Sequence, residues 1–285
     1  MISALWFLLD NWIVGFIGSF LIAGIAYDRR SLSKSGVLAA IAVGTILYAL
    51  GNLAWFGTLL VFFITSTLAS KLKPHRKRAA EHLYAKGANR DAFQVLANGG
   101  AGLIACIGNA IWPNPLWWWL FLGAMSTVNA DTWATEIGGM STSPPISVAS
   151  FRTVPAGTSG GISRLGLIAS IAGGLCIGVF AAFFIPFAGN SATDSLSDPS
   201  IHWISLLVIS TCAGLIGSLA DSWLGAYWQV MYRCAACRQE IEKPMHCAHQ
   251  ASLIRGYAWM NNDTVNFISS CVGSIVAVAL SLIFA

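Results

Sequence analysis

Asp131 and Glu136 sit in the stretch NADTWATEIGGM, which follows the apolar run Trp117-Trp118-Trp119-Leu120-Phe121-Leu122 after six residues. A carboxylate beside hydrocarbon is costly unless a partner or an ion compensates it. Three further polar clusters interrupt apolar sequence in the same way. QVLANGG contributes Asn98, LADSWLGAYWQ contributes Asp221, and WMNNDTVNF contributes Asn261, Asn262, Asp263 and Asn266. Carboxylates and amides in this combination suit a hard cation: Mg²⁺ takes oxygen ligands, typically one or two carboxylates with water and substrate phosphates. Asp131, Ala134 and Gly138 stand at i, i+3 and i+7, so they share one helix face whose small residues admit a close neighbour. Glu136 lies five residues from Asp131, roughly 140° around an ideal helix, and so does not aim at the same ion. Asp131 is therefore expected as a metal ligand and Glu136 as a supporting or substrate contact. The triplets Asp131-Thr-Trp133 and Asp221-Ser-Trp223 nearly match, and so offer two equivalent carboxylates.

The acidic segment is followed by FRTVPAGTSGGISRLG, Phe151 to Gly166. Gly157, Gly160 and Gly161 permit close backbone approach, and Thr158, Ser159 and Ser163 add hydroxyls. Successive amides running into a helix N-terminus form an anion cradle, and Arg152 and Arg164 stand at its rim. The alternative reading is a Gly/Ser connector between spans. The loop 71–93 is a basic, helix-prone stretch that reads first as an anchor to anionic lipid, with Lys71, Lys77 and Arg90 as the residues to test for phosphate contact. In CAACRQEIEKPMHCAH, Cys234 and Cys237 form a metal-type knuckle, and His246 with Cys247 could complete a tetrahedral zinc site. Such a site would fix the loop between the Asp221 and Asp263 segments; the alternative is a reduced loop without metal.

The elements that must position these residues are membrane spans. The chain is 56% hydrophobic and 10% charged, with 12 Trp among 285 residues, outside the range of soluble domains. Apolar runs long enough to cross a bilayer recur at about 5–27, 36–51, 54–70, 94–112, 115–138, 164–188, 201–232 and 263–284. The expected fold is all-α: a single polytopic bundle of about eight transmembrane helices over residues 1–285, with loops 71–93, 139–163 and 233–262 on one side. The first run lacks a basic start and a small-residue cleavage site, so it reads as a retained span. All 16 Lys and Arg fall in the odd-numbered loops, whereas loop 189–200 carries only Asp194 and Asp198. The positive-inside rule then places both termini outside and the polar clusters at the cytosolic ends of their spans. The net charge of +4 is accounted for by topology, which leaves no basic surface for nucleic acid. Cys106, Cys176, Cys212 and Cys271 fall inside spans and read as small buried thiols.

NADTWATEIG followed by VPAGTSGGIS, with ADSWLGA and RGYAWMNNDTVN later, resembles the integral-membrane family that contains plant and cyanobacterial phytyl-phosphate kinase. The resemblance spans nearly the whole chain. More distantly, the acidic helix and Gly/Ser loop are similar to the signature of CTP-dependent phytol and dolichol kinases, in which an Asp-x-x-Ala-x-x-x-Gly helix precedes a Lys-containing loop. Asp131, Ala134 and Gly138 match that helix, while Arg152 and Thr153 stand where those relatives carry a basic residue. The resemblance implies transfer of phosphate from a nucleotide, CTP, to a prenyl monophosphate. Asp131 and Asp221 would then hold Mg²⁺ across the nucleotide phosphates, Asn98, Asn262 and Asp263 would complete the polar floor, and Arg152 with residues 157–163 would cradle phosphates. The implied partners are a prenyl-phosphate lipid and a nucleotide, in a plasma, inner or thylakoid membrane, with a homodimer left open. Two other functions compete: a lipid cytidylyltransferase using the same site, and a cation-coupled transporter, which would place acids on both sides of the midplane.

Overall fold

The computed structural model describes residues 2–72, 89–187 and 203–284. The basic stretch 73–88, with Lys77, and the segment bearing Asp194 and Asp198 lie outside the described residues. Among the described residues, eight α-helices make up the bundle. α1 (Ile2–Asp28) leads through a short turn to α2 (Lys34–Ile46), capped by Ser33, whose hydroxyl accepts from the Gly36 amide. A π-helical turn, Leu47–Gly51, ends at Asn52, where φ of 120° reverses the chain and the side chain caps α3 (Leu53–Lys71). The tight Gly51-Asn52 connection of the sequence is thus an unwound turn followed directly by a capped helix.

Asp91 and Gln94 form a capping box that starts α4 (Ala92–Ile111). Asn114 caps α5 (Pro115–Gly138), with Pro115 at its first position, where no amide hydrogen is needed. Ser163 caps α6 (Arg164–Phe184), and α7 (Trp203–Tyr227) and α8 (Asn262–Phe284) complete the set. The expected span 201–232 ends earlier, at Tyr227: its apolar tail, Val230 and Met231, is buried but leads into a short strand instead of continuing the helix.

Seven of the eight helices are long and apolar enough to cross a membrane. The exception is α5, whose Asn, Asp, Glu and Thr residues lower its hydropathy. It stands at the centre of the bundle, against α3, α4, α6, α7 and α8, and every residue from Phe121 to Ala130 is buried. Its polar residues Ser126, Thr127 and Asn129 are therefore shielded from lipid by protein. Small residues make this enclosure possible. A Cβ on Gly123 would stand 2.7 Å from the Cβ of Ala277 and 2.8 Å from the Cα of Ser274, and one on Gly173 would stand 2.9 Å from the Cα of Ala130. Without a hydrophobic drive between helices in lipid, such close backbone approach carries the packing. Trp55, Trp118 and Phe121 form a tight aromatic cluster in the core.

Short strands cap one end of this helical fold. β1 (Ile146–Ser147) pairs with β2 (Gly161–Ile162), folding the glycine-rich loop back on itself. In the loop after α7, β3 (Met231–Arg233) pairs with β4 (Glu240–Ile241) and with a later strand, Ser252–Arg255; between them β5 (Met245–His246) and β6 (His249–Gln250) form a hairpin, so that Ser252–Arg255 is β7.

Candidate functional site

The ends of α3, α5 and α7 meet the beginnings of α4, α6 and α8 at one end of the bundle, and the acidic residues lie there. Ser218 and Asp221 are one turn apart on the same face of α7. The Ser218 hydroxyl donates to Oδ1 of Asp131 on α5 at 3.5 Å and lies 3.2 Å from the Ser170 hydroxyl of α6. Ser269 of α8 donates to Oδ2 of Asp221 at 3.0 Å. Asp131 and Asp221 thus face each other closely enough to repel, and Glu242, from the loop after α7, adds a third negative charge toward Asp221. Among the described residues no Lys or Arg pairs with either aspartate. Two half-buried carboxylates held by hydroxyls, facing one another without a cation, form an oxygen-lined position of high negative potential.

The glycine-rich loop packs beside them. Gly160, at φ +82°, lies so close to α7 that a Cβ would stand 2.5 Å from the Cβ of Ala226 and 2.9 Å from the carbonyl oxygen of Ser222. Only glycine meets both the left-handed conformation and this contact. The Ser159 hydroxyl donates to Gln229 at 2.8 Å, and Gln229 donates to Glu242 at 2.9 Å, so the loop, the end of α7 and the following loop form one chain of hydrogen bonds. Arg255 on β7 closes it, donating to the carbonyls of Ala226 at 2.7 Å and Ser159 at 3.5 Å. Within the loop, the amides of Thr158 and Gly161 are used internally, bonding the carbonyls of Pro155 and Thr158. Those of Gly157, Ser159 and Gly160 have no partner among the described residues. The Thr158 hydroxyl bonds Pro155, and Ser163 serves as the α6 cap and donates to Gly138 at 3.3 Å.

Other expected site residues lie apart from the aspartate pair. Glu136 points toward α3, where the Ser70 hydroxyl donates to it at 2.6 Å, and it is the counter-charge facing Arg90. Arg152 is exposed, and its carbonyl accepts from the Ser147 amide in the β1 turn. Asn98 donates to the Gln94 carbonyl on its own helix at 2.8 Å. Asn262 and Asp263 open α8, and Asp263 stands roughly 9 Å along the axis from Ser269. Asn129 ties helices together, accepting from Thr65 and donating to the Gly173 carbonyl, each at 2.8 Å. Ala134 and Gly138, on the Asp131 face, admit a neighbouring backbone: a Cβ on Gly138 would stand 2.8 Å from the Cα of Gly166 on α6.

Four donor atoms gather in the loop after α7. The sulfurs of Cys234, Cys237 and Cys247 and a ring nitrogen of His246 all lie within 4.8 Å of one another. The Arg238 amide closes the Cys234–Cys237 knuckle on the Cys234 carbonyl at 3.0 Å. The β5–β6 turn holds Cys247 and Ala248 at φ of 51° and 61°, a two-residue turn that ordinarily takes Asn-Gly. The Cys234 thiol is lowered to about 6, first by the Cys237 backbone amide and then by the His246 ring, which favours a thiolate ligand.

The chain is similar to several proteins along most of its length. It is 31% identical to Protein PGR of Arabidopsis thaliana over 283 residues, covering 90% of this chain and 92% of that protein. It is 26% identical to Protein VTE6, chloroplastic, of the same plant over 277 residues, covering 95% of this chain and 70% of the relative. An uncharacterized membrane protein of Methanocaldococcus jannaschii is 27% identical over 254 residues, covering 88% of this chain and 86% of its own. No solved structure matches the chain. Residues 17–274 match the integral membrane protein family DUF92, and the chain, a multi-pass integral membrane protein, belongs to that family.

Proposed function

We propose that the protein is a prenyl-phosphate kinase, which transfers the terminal phosphate of a nucleotide, CTP, to an isoprenoid monophosphate such as phytyl phosphate. The observation that carries this reading is the facing pair Asp131 and Asp221, held by Ser218 and Ser269 beside the Gly160 loop. The motif resemblance to phytyl-phosphate kinases and the relationship to VTE6 along most of the chain support it. The pair fits Mg²⁺ by donor chemistry: two carboxylates, each steadied by a hydroxyl, with no Lys or Arg among the described residues to neutralise them. Bound there, Mg²⁺ would neutralise charge on the nucleotide phosphates. In the reaction an acceptor phosphate oxygen bonds the γ-phosphorus, the bond from that phosphorus to the β–γ bridging oxygen breaks, and the nucleoside diphosphate leaves. The acceptor oxygen is already ionised, so the transfer needs positioning and charge stabilisation rather than a strong base. The free amides of Gly157, Ser159 and Gly160 would hold phosphate oxygens, while the Ser159 hydroxyl, donating to Gln229, and the Gln229–Glu242 link tie the loop to the segment that brings Glu242 toward Asp221.

The distribution of Lys and Arg supports a cytosolic position for this end of the bundle. Purified protein incubated with Mg²⁺, each nucleoside triphosphate, and phytyl, geranylgeranyl or farnesyl phosphate should yield prenyl diphosphate and the nucleoside diphosphate. Pyrophosphate release with a cytidylylated lipid would instead establish a cytidylyltransferase.

The Cys234, Cys237, His246 and Cys247 cluster is proposed as a structural zinc site. Three sulfurs and one imidazole match a closed tetrahedral set. Such a site would brace the loop that supplies Glu242 and Arg255 to the aspartate end.

A further inference from the structure

An apolar cavity open on one side lies between α1, α2, α3 and α4, away from the aspartate pair. Its wall carries Leu32, Val43, Phe56, Leu59, Phe62 and Phe63, and its polar end is formed by Arg90 with Gln94 and Asn98. Arg90 is an unusual residue for such a wall. Its guanidinium sits 5.6 Å and 5.7 Å from the ring centres of Phe62 and Phe63, and Nη2 donates to the Ser66 hydroxyl at 3.0 Å. Nη1 is buried with no hydrogen-bond partner. The Arg90 backbone is locked in place, its carbonyl accepting from the Ser33 amide at 2.9 Å and its amide donating to Ser31 at 3.1 Å. A buried guanidinium donor left unmade costs more than a neutral one, and a phosphate monoester oxygen is the acceptor that matches it best.

We infer that this cavity binds the isoprenoid acceptor: Arg90 takes the lipid's monophosphate through Nη1, and the prenyl chain runs between α1, α2, α3 and α4. This rests on the kinase reading for its substrate class and goes beyond it in placing the tail and head. From Gln94 to Gly99 the cavity follows α4 for roughly 7.5 Å, so it holds the head-proximal part of the chain and leaves the remainder to the open side. Glu136, which faces Arg90, is on the same helix as Asp131 and roughly 7.5 Å along its axis, so the acceptor phosphate and the aspartate pair lie at the same end of the bundle. A cation closing an apolar slot selects an amphiphile with an anionic head over a neutral alcohol.

Two full-length variants in lipid nanodiscs test this with radiolabelled phytyl phosphate, in binding and in turnover. Arg90→Gln removes the charge, and Gly99→Leu fills the slot; a Cβ at Gly99 would stand 3.5 Å from Val43 and 4.0 Å from Leu59, ordinary contact. Arg90→Gln should weaken phytyl phosphate binding about tenfold or more, the worth of a charged hydrogen bond, while retention of phytol is unchanged. Gly99→Leu should raise KM for phytyl phosphate far more than for geranyl phosphate and leave nucleotide binding intact. Wild-type binding in both folded variants overturns the inference, as does equal displacement of the label by phosphatidic acid or by inorganic phosphate. Thermal unfolding identifies a misfolded Arg90→Gln, and Gly99→Leu then decides. Arg90-dependent binding without diphosphate product would defeat the kinase reading and leave this site standing; product formation indifferent to both variants would do the reverse.

Discussion

Gly160→Ala separates the geometry of the loop from its mere presence. The added Cβ would lie 2.5 Å from the Cβ of Ala226 and 2.8 Å from its Cα, where apolar carbons settle at about 3.5 Å or more. Relief therefore requires the loop to withdraw from α7 by about 1 Å. The φ of +82° adds strain of about 1–3 kcal/mol for a residue with a side chain. Both costs fall on a surface loop that can move, so the helices should remain assembled. The displaced segment carries the free amides of Ser159 and Gly160, and a misplacement of about 1 Å at such a site costs on the order of a hundredfold in rate. Steady-state formation of prenyl diphosphate, with thermal unfolding in parallel, provides the assay. The expected result is kcat reduced about a hundredfold with a small change in Tm. Gly24→Ala, where nothing lies within 4 Å of the added carbon, should behave as wild type. Unaltered turnover in Gly160→Ala would show that the loop takes no part in holding phosphates.

Asp131→Asn and Asp221→Asn should each abolish product, yet unfold at the same or a higher temperature than wild type in metal-free buffer, because each removes one member of a repelling pair. Turnover like wild type in either defeats the metal assignment. Cys234→Ser with Cys237→Ser should lower bound zinc, measured by elemental analysis, from one equivalent per chain to none; unchanged content rejects the site. Gly123→Ala should destabilise the fold by about 1–3 kcal/mol, since the new carbon would press on Ala277 and Ser274 of α8. Denaturant unfolding reads that loss, and an unchanged midpoint would mean that α5 and α8 are less tightly opposed than described.

The span pattern was legible because apolar length is written directly in the chain, and the helix starts at Ser33, Asp91, Asn114 and Ser163 carry ordinary capping residues. The end of α7 was misplaced because Trp228, Val230 and Met231 are apolar for a different reason: Val230 and Met231 are buried where the chain leaves the helix and enters a short strand. At the site, the aspartates were legible because charge in apolar sequence is conspicuous. Their hydroxyl partners Ser218 and Ser269 were not, nor was Ser70 beside Glu136: all three are ordinary residues of membrane helices until a neighbouring helix gives them an acceptor. Glu242 was concealed in a loop dominated by cysteines; Arg90 was singled out with Lys71 and Lys77 for phosphate contact, but its place against the Phe62 and Phe63 rings was hidden in a basic stretch. One signal was available for Arg90: Asp91 and Gln94 spell a capping box, which places the preceding residue at the mouth of a membrane helix.

The enclosure of α5 bears on how the chain is made. A segment with this many polar groups gains little from leaving the translocation machinery for bare lipid, whereas α6, which follows it, is among the most apolar in the chain. During biogenesis the central helix would therefore depend on companions: α3 and α4 synthesised before it, and α6, α7 and α8 emerging after it, give its acids and amides somewhere to go. The polar residues of α5 thus make the most interior helix the one least able to enter the bilayer alone.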